Sequence, residues 1–168
     1  MTSTTSNWRG TASWTHLALH VQKLEPSIKF YEEFTALRVI QRHSDASSTG
    51  MNVVWLSDAV EGGRPTFVLV LLEGLPQFPP GGLVSLPQLP LGPMSHLGFS
   101  LGSRKEVDEL AALAKSRRIL RHGPGFLNEN AGYLCIIEDP DGHLIEFSHG
   151  QALGKQHVVG DSGMRLQS

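Results

Sequence analysis

The feature that most constrains this chain is a phrase that occurs twice, about eighty residues apart. Thr15-His16-Leu17-Ala18-Leu19 and Ser95-His96-Leu97-Gly98-Phe99 each contain a hydroxyl residue, a histidine, a leucine, a small residue and a large apolar residue. Self-similarity at a fixed period is the mark of a duplicated structural unit. The repeat therefore predicts two copies of one module, with histidines at equivalent places.

Hydrophobic periodicity predicts the same element order in both halves: a strand, a helix and three further strands. In the first half Glu25-Pro26-Ser27 opens the helix, because proline suits a first helical turn. In the second half Ser103 and Glu106 form a capping box before the helix, and the strand that follows is expected at Ile119 to Arg121. The predicted fold class is α+β, built from two βαβββ modules.

The predicted division of the chain follows from these elements. It comprises a loose leader at 1–13, a first module at 14–73, a connector at 74–94, a second module at 95–150 and a tail at 151–168. The connector holds six of the ten prolines and four glycines, so regular structure is not expected there. It is either a packed connector or a lid.

Composition narrows the choice of partners. The 168 residues carry a formal charge of −2 and no basic cluster longer than Arg117-Arg118, which argues against binding to nucleic acid or to an anionic membrane. No apolar run approaches membrane-spanning length. The single cysteine, Cys135, lies in an apolar run and is expected in the core, which fits a reducing cytoplasm. A small molecule is the expected ligand.

Three side chains of the predicted strands suggest a metal site. Side chains alternate along a strand, so His16 and His20 share one face, and His96 takes the place of His16 in the second module. Glu146 interrupts the apolar strand Leu144 to Phe147, where a carboxylate is costly unless it is paired or binds a cation. Two imidazoles and one carboxylate form a facial set that binds a divalent metal and leaves positions open for substrate.

Each histidine also has a plainer interpretation as a packed or surface residue. Weighed together, the homologous histidines and the misplaced carboxylate favour one divalent ion held by His16, His96 and Glu146. His20 is expected to act as a general base or to support a ligand, and ordinary packing is the alternative. Four further histidines are expected on the surface: His43, His143, His149 and His157.

The motifs resemble a known family. His16 to Val21, Ser27-Ile28-Lys29-Phe30-Tyr31, Ser95 to Phe99 and Glu138 to Glu146 are similar to the vicinal oxygen chelate superfamily, which contains glyoxalase I, extradiol dioxygenases, fosfomycin-resistance transferases and bleomycin-resistance proteins. The resemblance covers about residues 14 to 150. It implies a cupped mixed β-sheet with flanking helices around a metal, with ligands at His16, His96 and Glu146. The metal implied is iron(II), nickel, zinc or manganese.

The chain departs from each familiar activity of that family. Glyoxalase I is expected to add a Glu or Gln ligand from the last strand of the first module, but that place falls on Leu69 or Val70, and Glu73 is the nearest carboxylate. Extradiol dioxygenases are expected to carry a tyrosine where this chain has Ile136, and a histidine somewhat upstream, where Leu127 to Asn130 offer none. Tyr133 or His122 could substitute only with a shifted geometry. Fosfomycin transferases are expected to have a hydroxyl residue where this chain has Ala18, and a basic, serine-rich loop where it has residues 126–130.

The resemblance implies a divalent-metal-dependent cytoplasmic enzyme, expected as a homodimer, that acts on a small substrate with vicinal oxygens. Glu146 and His20 are the expected catalytic residues. Lyase or isomerase chemistry of the glyoxalase type is favoured, because the dioxygenase tyrosine is missing. A ring-cleaving iron(II) dioxygenase and a metal-free protein that sequesters a ligand, as bleomycin-resistance proteins do, are the alternatives.

Overall fold

A computed structural model describes residues 13–44, 51–58, 67–74, 90–92 and 94–152. The chain separates into two compact units, Met1–Pro90 and Leu91–Ser168. Nearly all of the predicted leader, most of the connector and most of the tail lie outside the described residues, as does His157.

The first unit contains one helix and a four-stranded sheet. The elements are β1 (His16–Val21), α1 (Leu24–Phe34), β2 (Arg38–Ser44), β3 (Asn52–Ser57) and β4 (Val68–Glu73). Strand β1 runs parallel to β4, and the other neighbours are antiparallel, in the order β1-β4-β3-β2.

The second unit repeats this topology. The elements are β5 (His96–Ser100), α2 (Arg104–Ser116), β6 (Leu120–Asn128), β7 (Gly132–Glu138) and β8 (Leu144–His149). Strand β5 runs parallel to β8, and the sheet order is β5-β8-β7-β6. The predicted fold class of two βαβββ modules, each with a mixed sheet and a helix, is confirmed.

Each helix carries an apolar stripe that matches the apolar face of its own sheet. In α1 this stripe includes Ile28, Tyr31 and Phe34, all buried. In α2 it consists of the small residues Val107, Ala111 and Ala114. Complete burial of one large apolar side chain is worth about 1.5–3 kcal/mol. Neither helix in the described part of the chain is long and apolar enough to span a bilayer.

Cys135 lies in the core of the second unit, as predicted. Its side chain is buried, and Sγ lies 4.0 Å from the carbonyl oxygen of Val107 on α2. Burial raises the pKa of the thiol to about 11, with smaller contributions from Asp108 and Glu146. A thiol with so high a pKa is a poor nucleophile at neutral pH.

Strand β6 is longer than predicted. The sequence indicated a strand only at Ile119 to Arg121, because Gly123-Pro124-Gly125 reads as a break. The structure extends the strand to Asn128 and accommodates the break with register shifts against β7. Gly123 has φ 80°, and a Cβ there would lie 2.5 Å from the carbonyl oxygen of Leu134, so only glycine fits this close approach.

Candidate metal centre

The two parallel strand pairs have the same register, which fixes the equivalent positions of the modules. His16 pairs with Val68 and His96 pairs with Leu144. Two residues further on, Ala18 pairs with Val70, and Gly98 pairs with Glu146. Cross-strand partners project from the same face of a sheet. The equivalent of Glu146 in the first unit is therefore Val70.

His96 and Glu146 form a close pair on one face of the second sheet. Nε2 of His96 lies 3.5 Å from Oε2 of Glu146. Glu146 is only 7 % exposed, and its Oε1 accepts a hydrogen bond from Nε2 of Gln151 at 2.6 Å. Among the described residues these are the two polar side chains next to the carboxylate.

The hydrogen bond at Nδ1 decides which nitrogen of His96 faces Glu146. Nδ1 lies 3.2 Å from the carbonyl oxygen of Met94. A carbonyl oxygen only accepts, so Nδ1 carries a proton and Nε2 is directed towards Glu146; in the neutral ring Nε2 presents a lone pair to the carboxylate. Two acceptors that face each other repel unless a proton or a cation lies between them. The arrangement therefore suits a bound cation.

Distances and free space are also compatible with a metal ion. Two ligand atoms about 2.1 Å from one ion, at 90–110° to each other, lie about 3.0–3.5 Å apart. The 3.5 Å between His96 and Glu146 falls at the upper end of that range. A Cβ built on Gly98, the strand partner of Glu146, would meet no atom within 4 Å. The surface beside the carboxylate is therefore open.

His16 and His20 lie on the same face of β1 in the first unit. Nδ1 of His16 lies 2.9 Å from Oγ1 of Thr15, and the ring is exposed. Nε2 of His20 lies 2.5 Å from the carbonyl oxygen of Gly74, so this nitrogen carries a proton and donates it to that bond. In both His16 and His96, Nδ1 is hydrogen-bonded and Nε2 is the nitrogen suited to a metal.

Of the predicted ligands, the structure brings His96 and Glu146 together within one unit. No third His, Cys, Asp or Glu joins them in the described part of that unit. His16 belongs to the other unit, where Val70 holds the position that Glu146 occupies here. Each unit thus presents one histidine on equivalent strands, and the second unit also supplies the carboxylate.

Glu73 lies on the opposite face of β4 from the His16 side. Its strand partner is Val21, and its Oε2 accepts the backbone N–H of Leu24 at 2.7 Å, at the start of α1. Nζ of Lys23 lies 3.2 Å from Oε1. The Leu24 N–H, with help from Lys23, lowers the pKa of the Glu73 carboxyl group. Glu73 caps a helix that lacks a side-chain cap of its own, and it is not placed to be a fourth ligand.

Glu73→Ala is expected to lower the free energy of unfolding by about 1 kcal/mol at pH 7 and to leave metal affinity unchanged. Because the native pKa is lowered, the stabilisation is complete above the ordinary value of 4.5 and disappears as the pH falls through the native pKa. Urea unfolding of wild type and variant from pH 7 to pH 3 measures the difference. Glu109→Ala, an exposed residue of α2 paired with Lys105, is the control. Weaker metal binding in Glu73→Ala would contradict this placement.

The two possible substitutes for the missing dioxygenase residues, Tyr133 and His122, lie on opposite faces of the second sheet. The hydroxyl of Tyr133 donates to Oδ1 of Asp108 on α2 at 2.6 Å, so Tyr133 belongs to the helix-covered face. Asp108 raises the pKa of this phenol. His122 pairs with Ile136, which pairs with Glu146, so His122 lies on the face that carries the carboxylate.

Two of the histidines expected on the surface are partly or fully enclosed. His143 is buried, and its Nδ1 accepts the backbone N–H of Leu91 at 3.1 Å. His149 is half-buried, with Nδ1 3.0 Å from the carbonyl oxygen of Leu101. The prediction that both rings are solvated was wrong, because the alternation of side chains along a strand does not show which backbone groups from elsewhere in the chain will contact them. Asp139 forms the turn before β8, as its position suggested.

Two residues of interest were missed by sequence reasoning. Gln151 was assigned to the tail, but the chain turns at Gly150, with φ 81°, and returns the amide to Glu146. Trp55 on β3 pairs with Val70, so it lies on the His16 face of the first sheet. Glycine after the last strand was a usable signal for the first residue. No local signal distinguishes Trp55 from a core tryptophan.

Comparison with known proteins identifies relatives over nearly the same range as the two modules. The family described as Glyoxalase/Bleomycin resistance protein/Dioxygenase superfamily matches residues 14–147. A protein of Pseudomonas aeruginosa, described as uncharacterized protein PA2024, is 39 % identical over 140 residues, which cover 83 % of this chain and 90 % of that protein.

Solved structures share the fold at low sequence identity. A mutant of the fosfomycin resistance protein FosX from Listeria monocytogenes, in complex with Mn(II) and dihydroxypropylphosphonic acid, superposes with a TM-score of 0.60 at 20 % identity, covering 87 % of this chain and 98 % of FosX. Trypanothione-dependent glyoxalase I from Leishmania major gives a TM-score of 0.59 at 20 % identity, covering 83 % of this chain and 88 % of that enzyme.

Proposed function

Since the chain belongs to the glyoxalase, bleomycin resistance protein and dioxygenase superfamily, we propose that it is a divalent-metal-dependent enzyme acting on a small substrate with vicinal oxygens. His16, His96 and Glu146 are the proposed ligands. The observation that carries the proposal is the 3.5 Å approach of His96 Nε2 to Glu146 Oε2 on an open sheet face. Mn(II) in the FosX complex supports a divalent ion in this fold.

A divalent ion at these residues supplies Lewis-acid polarisation of two neighbouring substrate oxygens. The protein's part is to fix the ligand atoms. The Met94 carbonyl accepts from Nδ1 of His96 and so directs Nε2 towards the ion, and Gln151 donates to Oε1 of Glu146 so that Oε2 is the oxygen available for binding. A carboxylate that binds the ion through one oxygen leaves more coordination positions for the substrate than a carboxylate that binds through both.

His20 is the proposed residue for proton transfer, with Glu146 as the other catalytic residue. Nε2 of His20 donates a hydrogen bond to the carbonyl oxygen of Gly74, which fixes the orientation of the ring. Imidazole is the side chain used most often for general acid–base catalysis. His20 shares its strand face with His16, where a substrate held by the ion would lie.

Gln151 is proposed as a positioning residue for Glu146. Gln151→Leu, which removes the amide donor, is expected to weaken Mn(II) binding by about ten-fold, the lower range for loss of a partner behind a ligand. Gln151→Glu places a like charge beside Glu146, which disfavours the charged carboxylate and moves Mn(II) binding to higher pH. Calorimetric titration with Mn(II) at several pH values measures both effects. Equal affinity and an unchanged pH profile in both variants would remove this role.

Lyase or isomerase chemistry is the favoured reaction class. Val70 stands at the place of the fourth ligand expected for glyoxalase I, so the reaction is not assigned to that enzyme itself. A ring-cleaving iron(II) dioxygenase is the second candidate, and it is supported by His122, which shares the sheet face of Glu146. Ile136 in place of the dioxygenase tyrosine counts against it.

The decisive experiment is metal analysis of protein purified anaerobically and without chelator. One equivalent of iron(II) would favour the dioxygenase, and one equivalent of nickel, zinc or manganese would favour lyase or isomerase chemistry. Protein that contains no metal, and that binds no Mn(II) after dialysis, would overturn the enzyme proposal. Binding of a small ligand by such protein would identify a sequestering protein of the bleomycin-resistance kind.

We also propose a cytoplasmic homodimer. The buried, unpaired Cys135 is consistent with a reducing compartment. Phe126 and Leu127 are large apolar side chains exposed on β6, an edge strand of the second sheet, and association of two copies would cover them. Sedimentation equilibrium of the full chain measures the state directly, and a monomer at micromolar concentration would contradict the dimer.

A further inference from the structure

A groove of about 530 Å³ lies between helix α2 and strand β6 of the second unit. Sites for small molecules commonly enclose about 300–1,000 Å³. Helix α2 packs on the face of the sheet that carries Cys135, opposite to Glu146, so the groove is separate from the candidate metal centre. The apolar part of its lining comes from four residues: Ala111, Ala112, Leu120 and Pro124.

In the first unit the equivalent groove is filled by larger and charged side chains. The buried residues of the two helices correspond at a spacing of eighty residues: Ser27 with Val107, Tyr31 with Ala111, and Phe34 with Ala114. The groove of the first unit has a volume of about 370 Å³, and five of its six lining residues are charged. Nη1 of Arg42 on β2 pairs with Oε1 of Glu25 on α1 at 2.5 Å. Among the described residues, no ion pair joins α2 to β6 in this way.

Two cations, Lys115 and Arg118, line the groove near the end of α2. Neither side chain has an ion pair or a hydrogen bond within the described part of the chain, whereas Lys105 and Arg121 of the same unit each pair with a glutamate. The end of a helix carries about half of a negative elementary charge, which two cations exceed. This end of the groove is therefore positive.

The backbone at Arg118 adds to this picture. Its φ is 63°, in the left-handed region where glycine is the usual residue after a helix. The side chain at this position is therefore not required for the turn, and its guanidinium is available to a ligand. A guanidinium binds a carboxylate through two parallel hydrogen bonds, which a lysine does not.

We propose that this groove binds a small apolar molecule with one carboxylate head group. The carboxylate pairs with Arg118 and Lys115, and the apolar body lies along Ala111 and Ala112. Asp108 lines the groove seven residues before Lys115, about 10 Å away along the helix axis. Its negative charge disfavours a second acidic group at that end, so the ligand class is an apolar monocarboxylic acid.

Two other uses of these residues are less consistent with the structure. A second copy of the chain bound over the groove would cover two unpaired cations, and charged residues are depleted in the cores of subunit contacts. A role limited to the negative end of α2 accounts for a cation in the last turn. It does not account for alanines where the first unit has a tyrosine and a glutamate, at Tyr31 and Glu32.

The test titrates the full chain with 4-phenylbutyrate and with its neutral analogue 4-phenylbutanamide in a calorimeter. Wild type is expected to bind the acid about five-fold more tightly than the amide, as an exposed ion pair predicts. Treatment with EDTA should not change this result, because the groove is separate from the metal centre. Arg118→Gly is expected to lose most of the preference without loss of thermal stability, since glycine suits the left-handed backbone. Lys105→Ala, which removes an exposed charge from the same helix, is the matched control.

A second variant blocks the groove without altering the cations. Ala112→Glu places a carboxylate three residues before Lys115, at an exposed position of the helix, and is expected to abolish the preference for the acid. Equal affinity of wild type for acid and amide, or an unchanged preference in both variants, overturns the inference. Binding that disappears with EDTA assigns the probe to the metal centre and also overturns it. Altered sedimentation of Ala112→Glu, with no binding of the acid by wild type, assigns the groove to a second copy instead.

Discussion

His96→Ala is expected to abolish stoichiometric binding of Mn(II), with a loss of at least about 100-fold in affinity. Replacing a residue behind a ligand already costs roughly 10–100-fold, and His96 is a proposed ligand itself. The variant also leaves Glu146 with Gln151 as its remaining polar neighbour among the described side chains. Among the described residues of the second unit, Glu146 is then the single proposed ligand, which is too few for a stoichiometric site.

A matched set of variants locates the metal site. His16→Ala is expected to show the same loss as His96→Ala, because the two histidines occupy equivalent register positions of the repeat. His149→Ala is the control, since its Nδ1 is engaged by the Leu101 carbonyl. Calorimetric titration with Mn(II) gives the affinities, and the free energy of unfolding of each apoprotein identifies variants that fail to fold.

Two results would contradict the proposed ligand set. Full Mn(II) affinity in His16→Ala together with loss in His96→Ala would confine the site to the second unit and require another ligand there. Full affinity in His96→Ala would exclude the site altogether. Equal loss in His149→Ala would attribute the effect to folding rather than to coordination.

The fold was accessible from the sequence because its signals are local and occur twice. Alternation in β1 and β5, the capping box at Ser103 and Glu106 and the turn at Asp139 each depend on a few neighbouring residues. Strand β6 was underestimated because Gly123, Pro124 and Gly125 break a local pattern, although pairing with β7 continues past them. Sheet pairing overrides local propensity when the partner strand is already fixed.

The candidate site was accessible only in part, because its contacts join residues distant in sequence. Strand parity put His16 and His20 on one face and marked Glu146 as a misplaced charge. Gln151 depends on the turn at Gly150, and Trp55 depends on the register of β3 against β4. A single sequence shows neither which residues pair across two strands nor whether the chain turns back after a strand to contact it.

The strand register also decides which of two adjacent residues, Leu69 or Val70, stands at the position equivalent to Glu146. A pair of variants tests this assignment. Val70→Glu introduces a carboxylate at the equivalent of Glu146, whereas Leu69→Glu introduces one on the helix-covered face. Both residues are buried, at 8 % and 3 % exposure, so each apoprotein is expected to lose about 2 kcal/mol or more of stability.

Binding of Mn(II) should then distinguish the two variants by the stability that each regains. A further anionic oxygen ligand raises affinity for a divalent ion, so Val70→Glu is expected to bind Mn(II) about ten-fold more tightly than wild type and to regain stability when loaded. Leu69→Glu should remain destabilised with or without Mn(II), because its carboxylate faces α1. Thermal unfolding with and without Mn(II) measures both. Equal recovery of the two variants, or none in Val70→Glu, would mean that Val70 does not face the ion.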